Sequence, residues 1–324
     1  IKNYHEEVNA IIDNADKLKK YSIFNKAGSF SYANILQTAR DFERVKNVIL
    51  PEDEYKGVQA YTTYYYQYFF TMLVMMFVIY DMFAQRDNGM WSITYSCANG
   101  RIMYAIKQTG VIVVTGAFTH TLIYWSTFIA AMLQRGGVRD LVNPVQTIET
   151  FDKFTYPWSK IKYVTVLYLI SMVCIVALCI TIWGVFVMFR NRVYALVTML
   201  IFAAVEQFIY SHIDIHSVWN GLHYINIINI ININATFSSY RNWGVGTYVF
   251  PVFSVVLFVH IICAGVIGYI AINVSASMKP YKNTTFIKRF TDCVSAGCQK
   301  ILARIPFLFK EIHKFIFTSH CGWV

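Results

Sequence analysis

Few residues in this chain have both the chemistry to act and a position from which to act. Glu206 is the one carboxylate well inside a long apolar stretch, with Gln207 beside it. An ionisable group at that depth is a functional candidate through contact with a substrate or an ion. The plain alternative is solvation near an interface, or pairing with Gln207 or a neighbouring helix. Six residues on, His212-Ile-Asp-Ile-His216 places two imidazoles at i and i+4 on one helical face with Asp214 between them. That spacing could hold a metal or serve an intramembrane oxygenase. Only His223 lies nearby and His120 and His260 fall in other stretches, so histidines at a helix end are the simpler reading. A third candidate is the run from Phe83 to Lys107, in which an apolar stretch ends in a polar turn at Gly89. A short segment with apolar Met90, Trp91 and Ile93 follows, then a break at Asn99-Gly100, and Arg101 and Lys107 lead into the next apolar stretch. It reads as a short amphipathic helix lying on a membrane face and joined to two spans, an element that can pass force from a docked partner.

No GxxxxGK[ST] occurs anywhere, so the chain cannot cradle a nucleoside triphosphate in a P-loop. If it works with ATP, the ATPase is a separate chain. The seven cysteines show no CxxC pairing and their odd count speaks against a disulfide framework or zinc site.

The elements that must carry these residues follow from composition. Of 324 residues, 56% are hydrophobic and 14% charged, against about 25% charged in soluble domains. The charges are clustered: 57–80, 108–134, 163–189, 215–240 and 242–278 contain no Asp, Glu, Lys or Arg. A bilayer span needs about 20 apolar residues, so the class is an all-α polytopic membrane protein. Secreted and cytosolic globular classes are excluded. The net charge of +10 is concentrated in a basic tail after the last apolar run. That is the positive-inside pattern and an attraction to anionic lipid, and not a nucleic-acid surface.

Five spans are expected, at about 64–84, 108–133, 161–188, 193–211 and 246–273, with tyrosines at 61, 64, 65, 66 and 68 forming an interfacial belt at the first. Residues 1–63 form a small extracytoplasmic helical domain. Tyr4, Val8, Ile11, Ile12, Ala15 and Leu18 share one helical face, and Ile35, Leu36, Ala39, Phe42, Val45 and Ile49 share another, with Ser29 and Ser31 as candidate caps. Residues 64–277 form the transmembrane domain, with a cytoplasmic loop at 85–107 and external loops at 134–160 and 212–245. The run 215–240 holds too many amides for a span and reads as a surface-lying or re-entrant helix, since Asn220, Asn226, Asn229 and Asn232 fall near one stripe. An alternating edge strand is the other reading. Residues 278–324 form a basic cytoplasmic tail with an interfacial helix over 301–315. The start at Ile1 and the apolar close at Cys321-Gly-Trp-Val324 read as a fragment with a sixth span missing upstream.

The run Phe83, Gln85, Gly89, Gly100, Arg101 and Lys107 resembles the region after the second span of type-2 ATP-binding-cassette exporter permeases. There a phenylalanine, an acidic position and a glycine precede a coupling helix, Gly-Arg and a lysine. The long insertion before it, including Phe30-Ser-Tyr-Ala-Asn-Ile-Leu-Gln-Thr-Ala39, is similar to the large Firmicutes members. The tail around Phe309–Phe317 is similar to the family's elbow helix, as if opening a second permease unit. Gln85 departs from the family's acidic residue, so no ion pair is implied there. The resemblance implies a non-enzymatic permease subunit in a bacterial plasma membrane, with its N-terminal domain outside and its tail inside. Gln85, Arg86, Gly89, Trp91, Gly100, Arg101 and Lys107 would meet a separate ATPase subunit. ATP and Mg would sit on that partner and no cofactor on this chain. A second permease half or a homodimer would complete the path, and Glu206 and Gln207 would line it. The rival readings are an intramembrane His-metal enzyme and a membrane sensor or scaffold.

Overall fold

The computed structural model describes residues 3–21, 28–51, 56–63, 66–87, 100–189, 191–213 and 219–277. The chain is mostly helical, and among the described residues five helices are long and apolar enough to cross a membrane: Tyr68–Arg86, Gly100–Arg135, Lys160–Met188, Arg192–His212 and Val252–Ser277. In chain order the elements are α1 (Tyr4–Leu18), α2 (Phe30–Glu43), α3 (Gly57–Thr63), α4 (Tyr66–Met82), α5 (Ala84–Asp87), α6 (Gly100–Arg135), α7 (Val138–Val142), α8 (Lys160–Met188), α9 (Arg192–His212), three short helices α10 (Asn220–Ile225), α11 (Ile227–Ile231) and α12 (Ile233–Ser238), strands β1 (Asn242–Val245) and β2 (Tyr248–Pro251), and α13 (Val252–Ser277).

The surface of the bundle is apolar: Phe77, Val114, Phe118, Leu133, Leu169 and Phe258 are all more than half exposed. Such a girdle suits hydrocarbon, where helices satisfy their own backbone groups. α8 is the axis, packed against α13, α6 and α4, and small residues set those approaches. A Cβ on Gly184 would lie 2.4 Å from Ile267 Cγ2, one on Gly268 2.9 Å from Ile180 Cγ2, and one on Gly116 2.7 Å from Cys179 Sγ. α9 stands at the edge, with only Ala195 and Met199 fully buried. Successive spans alternate in direction, so α1–α3, the 136–159 connection and 219–251 gather at one end of the bundle, and α5, the start of α6, the end of α8 and the start of α9 at the other.

Two boundaries differ from the sequence reading. α6 begins at Gly100, eight residues before the expected span, because no residue over 100–107 breaks a helix and the charged Arg101 and Lys107 extend it past the apolar part. The last span begins at Val252, because Gly246 at φ 62 turns 242–251 into an antiparallel hairpin pairing Asn242 with Pro251 and Val245 with Tyr248. Absence of charge cannot separate a strand from a span.

At the crowded end, α1 and α2 pack as a hairpin through Tyr4, Val8, Phe42 and Val45, with Ile11 and Ile12 alongside. Ser29 Oγ caps α2, accepting from Tyr32 N–H at 3.3 Å. Ile49, expected on the inner face, is 83% exposed, because α2 stops at Glu43 and the helical period ends there. α3 does not belong to this hairpin: Val58 and Tyr61 join the core of the transmembrane bundle, and Lys56 N–H donates to Arg135 O. The small helical domain therefore ends before residue 57.

The hairpin docks on the β-hairpin. Tyr240 donates to Asp41 Oδ2 at 3.1 Å and its ring meets Phe42 edge-on, while Asn242 Nδ2 donates to Asn34 Oδ1 at 2.9 Å. Burial pushes the Tyr240 phenol well above its ordinary range, so it remains a donor at neutral pH. Gly244 lies flat under Phe30, where a Cβ would sit 2.1 Å from the ring. Gly244→Ala is expected to pry this contact apart at a cost of about 1–3 kcal/mol. Faster proteolysis of residues 3–50, with the spans still inserted, would register it.

The 136–159 connection is folded. Asp140 is fully buried, its Oδ1 bonded to Lys160 Nζ at 2.5 Å and its Oδ2 accepting from Val58 N–H at 3.1 Å. Around it Phe151, Phe154, Tyr163 and Phe237 pack edge-to-face and stacked. Two charges of the 134–160 loop thus neutralise each other inside.

The described part of 215–240 is helical, so the edge strand is not formed there. It is not one helix either. Asn226 and Asn232 break it, with Asn226 Oδ1 capping α11 through Ile228 N–H at 2.8 Å. Asn229 Nδ2 donates to His223 O and Tyr224 O, and Asn234 bridges Tyr163 OH and Thr62 O. The asparagines serve as breakers and stitches that tie the segment to the bundle, which satisfies their amides without water.

Candidate functional site

Glu206 sits about four turns into α9 on the face turned toward the bundle. One carboxylate oxygen, Oε2, accepts from Ile227 N–H at 3.1 Å, and the main-chain O of Glu206 accepts from Asn226 Nδ2 at 2.7 Å. The break at Asn226 thus presents a free N–H to the carboxylate. The same carboxylate opens on a half-open cavity of about 240 Å³ between α8, α9, α10, α11 and α13, lined by Ala177, Leu178, Thr181, Phe202, Ile225, Ile227, Ile230, Val259, His260, Cys263 and Ile267. His260, half-buried on α13, donates from Nδ1 to Val256 O at 2.8 Å and lies within electrostatic range of Glu206. A carboxylate and an imidazole therefore share one apolar chamber among spans. Gln207 does not reach it, being exposed on the outer side of α9; one residue's rotation on a helix turns it about 100° away.

His260, Thr181 and Cys263 were not joined to Glu206 by sequence, since they lie 54, 25 and 57 positions away. The available signal was that His260 is itself an ionisable group within a span.

At the opposite end, the residues of the Phe83–Lys107 run separate into different roles. Arg86 Nη1 donates to Phe186 O at 3.1 Å and Phe189 O at 2.7 Å, and its guanidinium lies 4.6 Å from the Phe83 ring centroid. It closes the C-terminal end of α8, where the last carbonyls and the negative end of the helix dipole favour a cation. Gln85 is exposed on α5, Gly100 opens α6, Arg101 follows half-exposed, and Lys107 is exposed two turns on. Gly89, Trp91 and the expected amphipathic helix lie outside the described residues. So does Arg190, whereas Arg192 packs 4.6 Å from the Tyr80 ring centroid.

Histidines elsewhere among the described residues are engaged. The ring of His212 stacks on Phe208 at 4.1 Å with Nδ1 3.0 Å from Phe208 O, while Asp214 and His216 lie outside the described residues. His223 stacks on Tyr210 at 4.6 Å. His120 is completely buried between the rings of Tyr68 and Tyr168, with Nε2 2.8 Å from Ser171 Oγ. Among the described residues no group of three or more His, Cys, Asp and Glu side chains gathers to hold a metal. Comparisons with protein-family models, with curated proteins and with solved structures return no match.

Proposed function

We propose that this chain is the membrane-spanning permease subunit of an ATP-driven exporter, forming the translocation path and working with a separate ATPase. The observation that carries the reading is the Glu206–His260 chamber. Ionisable groups are expensive within a membrane and are kept where they meet a substrate or ion, and these two converge from different spans on one half-open cavity. The opposite end supports a coupled machine. Arg86 ties the end of the first span to the end of the third, and α6 begins within the run that resembles a coupling element, carrying its Gly100, Arg101 and Lys107. In this reading that end is cytoplasmic, the α1–α2 hairpin lies outside, and the membrane is a bacterial plasma membrane. The permease pairs with a second half or a second copy. Nucleotide binding on the ATPase biases the spans between two arrangements.

Two tests bear on it. A tagged full chain expressed in its own host should co-purify with a P-loop ATPase; purification without one, at stoichiometric yield, overturns the reading. Arg101→Glu and Gly89→Pro should each reduce export at least tenfold while the variants remain inserted. Unchanged export in both removes the coupling role from 85–107.

A further inference from the structure

We infer that the chamber binds a protonated alkylamine, with the ammonium head at Glu206 and the chain among the aliphatic side chains. This rests on the reading of the chamber as part of the path. Glu206 Oε2 is occupied by Ile227 N–H at 3.1 Å, and among the described residues no donor reaches Oε1. His260 commits its Nδ1 proton to Val256 O, so the neutral ring keeps a bare lone pair at Nε2, to which nothing among the described residues donates. Thr181 commits its hydroxyl proton to Ala177 O at 2.9 Å and leaves only oxygen lone pairs. Cys263 offers at most a weak S–H. The rest of the lining is hydrocarbon, including Leu178, Phe202 and Ile230.

The chamber thus presents a negative charge and several acceptors but no strong donor. An anion is repelled, and a neutral apolar molecule leaves Oε1 of the carboxylate unmatched in an apolar wall, which is costly. A primary ammonium brings three N–H donors and the compensating charge, and such charge-assisted bonds are the strong ones. The volume of about 240 Å³ lies below the ~300–1,000 Å³ of sites that enclose a drug-sized molecule. It suits a head group and the first part of a chain, with the remainder in lipid.

The test uses the full chain in zwitterionic nanodiscs, with every cysteine except Cys263 replaced by alanine. The readout is the rate of Cys263 alkylation by N-ethylmaleimide. Decylamine should protect Cys263 in a saturable way, decyltrimethylammonium more weakly because it carries no N–H, and decyl sulfate or sodium chloride not at all. Glu206→Gln keeps an oxygen to accept from Ile227 N–H, so the local fold stays, and should weaken decylamine protection about tenfold. Equal protection by decyl sulfate, protection by sodium alone, or undiminished protection of the Gln variant overturns the inference. Because this readout needs no ATPase, loss of the permease reading and loss of the ligand assignment are told apart. A chain that binds decylamine but purifies without a P-loop partner fails only the first. One that brings its ATPase but leaves Cys263 unprotected fails only the second.

Discussion

Asp140→Ala is expected to destabilise the protein by about 3–5 kcal/mol, the cost of leaving a buried charge without its counter-ion. Lys160 is 1% exposed and Asp140 not exposed at all, so water cannot replace the carboxylate. The change also strips Val58 N–H of its acceptor, and with it the tie between α3 and the 136–159 connection. The pair itself is not expected to be the source of stability, since two charges taken out of water recover little beyond their desolvation. Asp140→Leu combined with Lys160→Met should therefore regain most of the loss. What remains is the unsatisfied Val58 amide, about 1–3 kcal/mol. Reversible unfolding in mixed micelles measures both. A single-variant cost below about 1 kcal/mol would show that the site is wet.

Gly184→Val should cost about 3 kcal/mol or more by forcing α8 and α13 apart, the upper range for overpacking a tight contact. The Cβ would meet Ile267 Cγ2 at 2.4 Å, with the backbone of Ile267 only 3.5 Å away. Ile267 is β-branched and cannot swing aside within a helix. Ile267→Ala in the same chain should recover a large part of the loss, a coupling that a double-mutant cycle reads directly. Additive costs would place the strain elsewhere.

Much of the fold is legible without coordinates because a bilayer imposes few alternatives. Runs lacking charge mark four of the five spans, the remaining one (Arg192–His212) being interrupted by Glu206, and the periodic faces of α1 and α2 identify Tyr4, Val8, Ile35 and Phe42 as buried. The misreadings share one cause, which is that the deciding partner lies far along the chain. The sequence places Arg86 in the run after the first span but does not show that Phe186 O and Phe189 O, 100 and 103 positions away, accept its hydrogen bonds. The asparagines of 220–234 look like one polar stripe until Asn226 is found capping and Asn229 and Asn234 stitching. Residues 57–63 look like part of an external domain until the buried Asp140 draws in Val58. Glu206 stands out in the sequence as an intramembrane carboxylate, but the bare nitrogen of His260 that shares its chamber comes from another span and no local pattern links them.

One consequence of α6 is mechanical. Its 36 residues measure about 54 Å at 1.5 Å per residue, against a hydrocarbon layer of roughly 30 Å. Each tip therefore stands about 27 Å from the midpoint, and pivoting the rod by 10° would sweep a tip by about 5 Å, comparable to the spacing between neighbouring β-strands. A tilt too small to disturb the packing at Gly116 would still displace Arg101 by the width of a side chain.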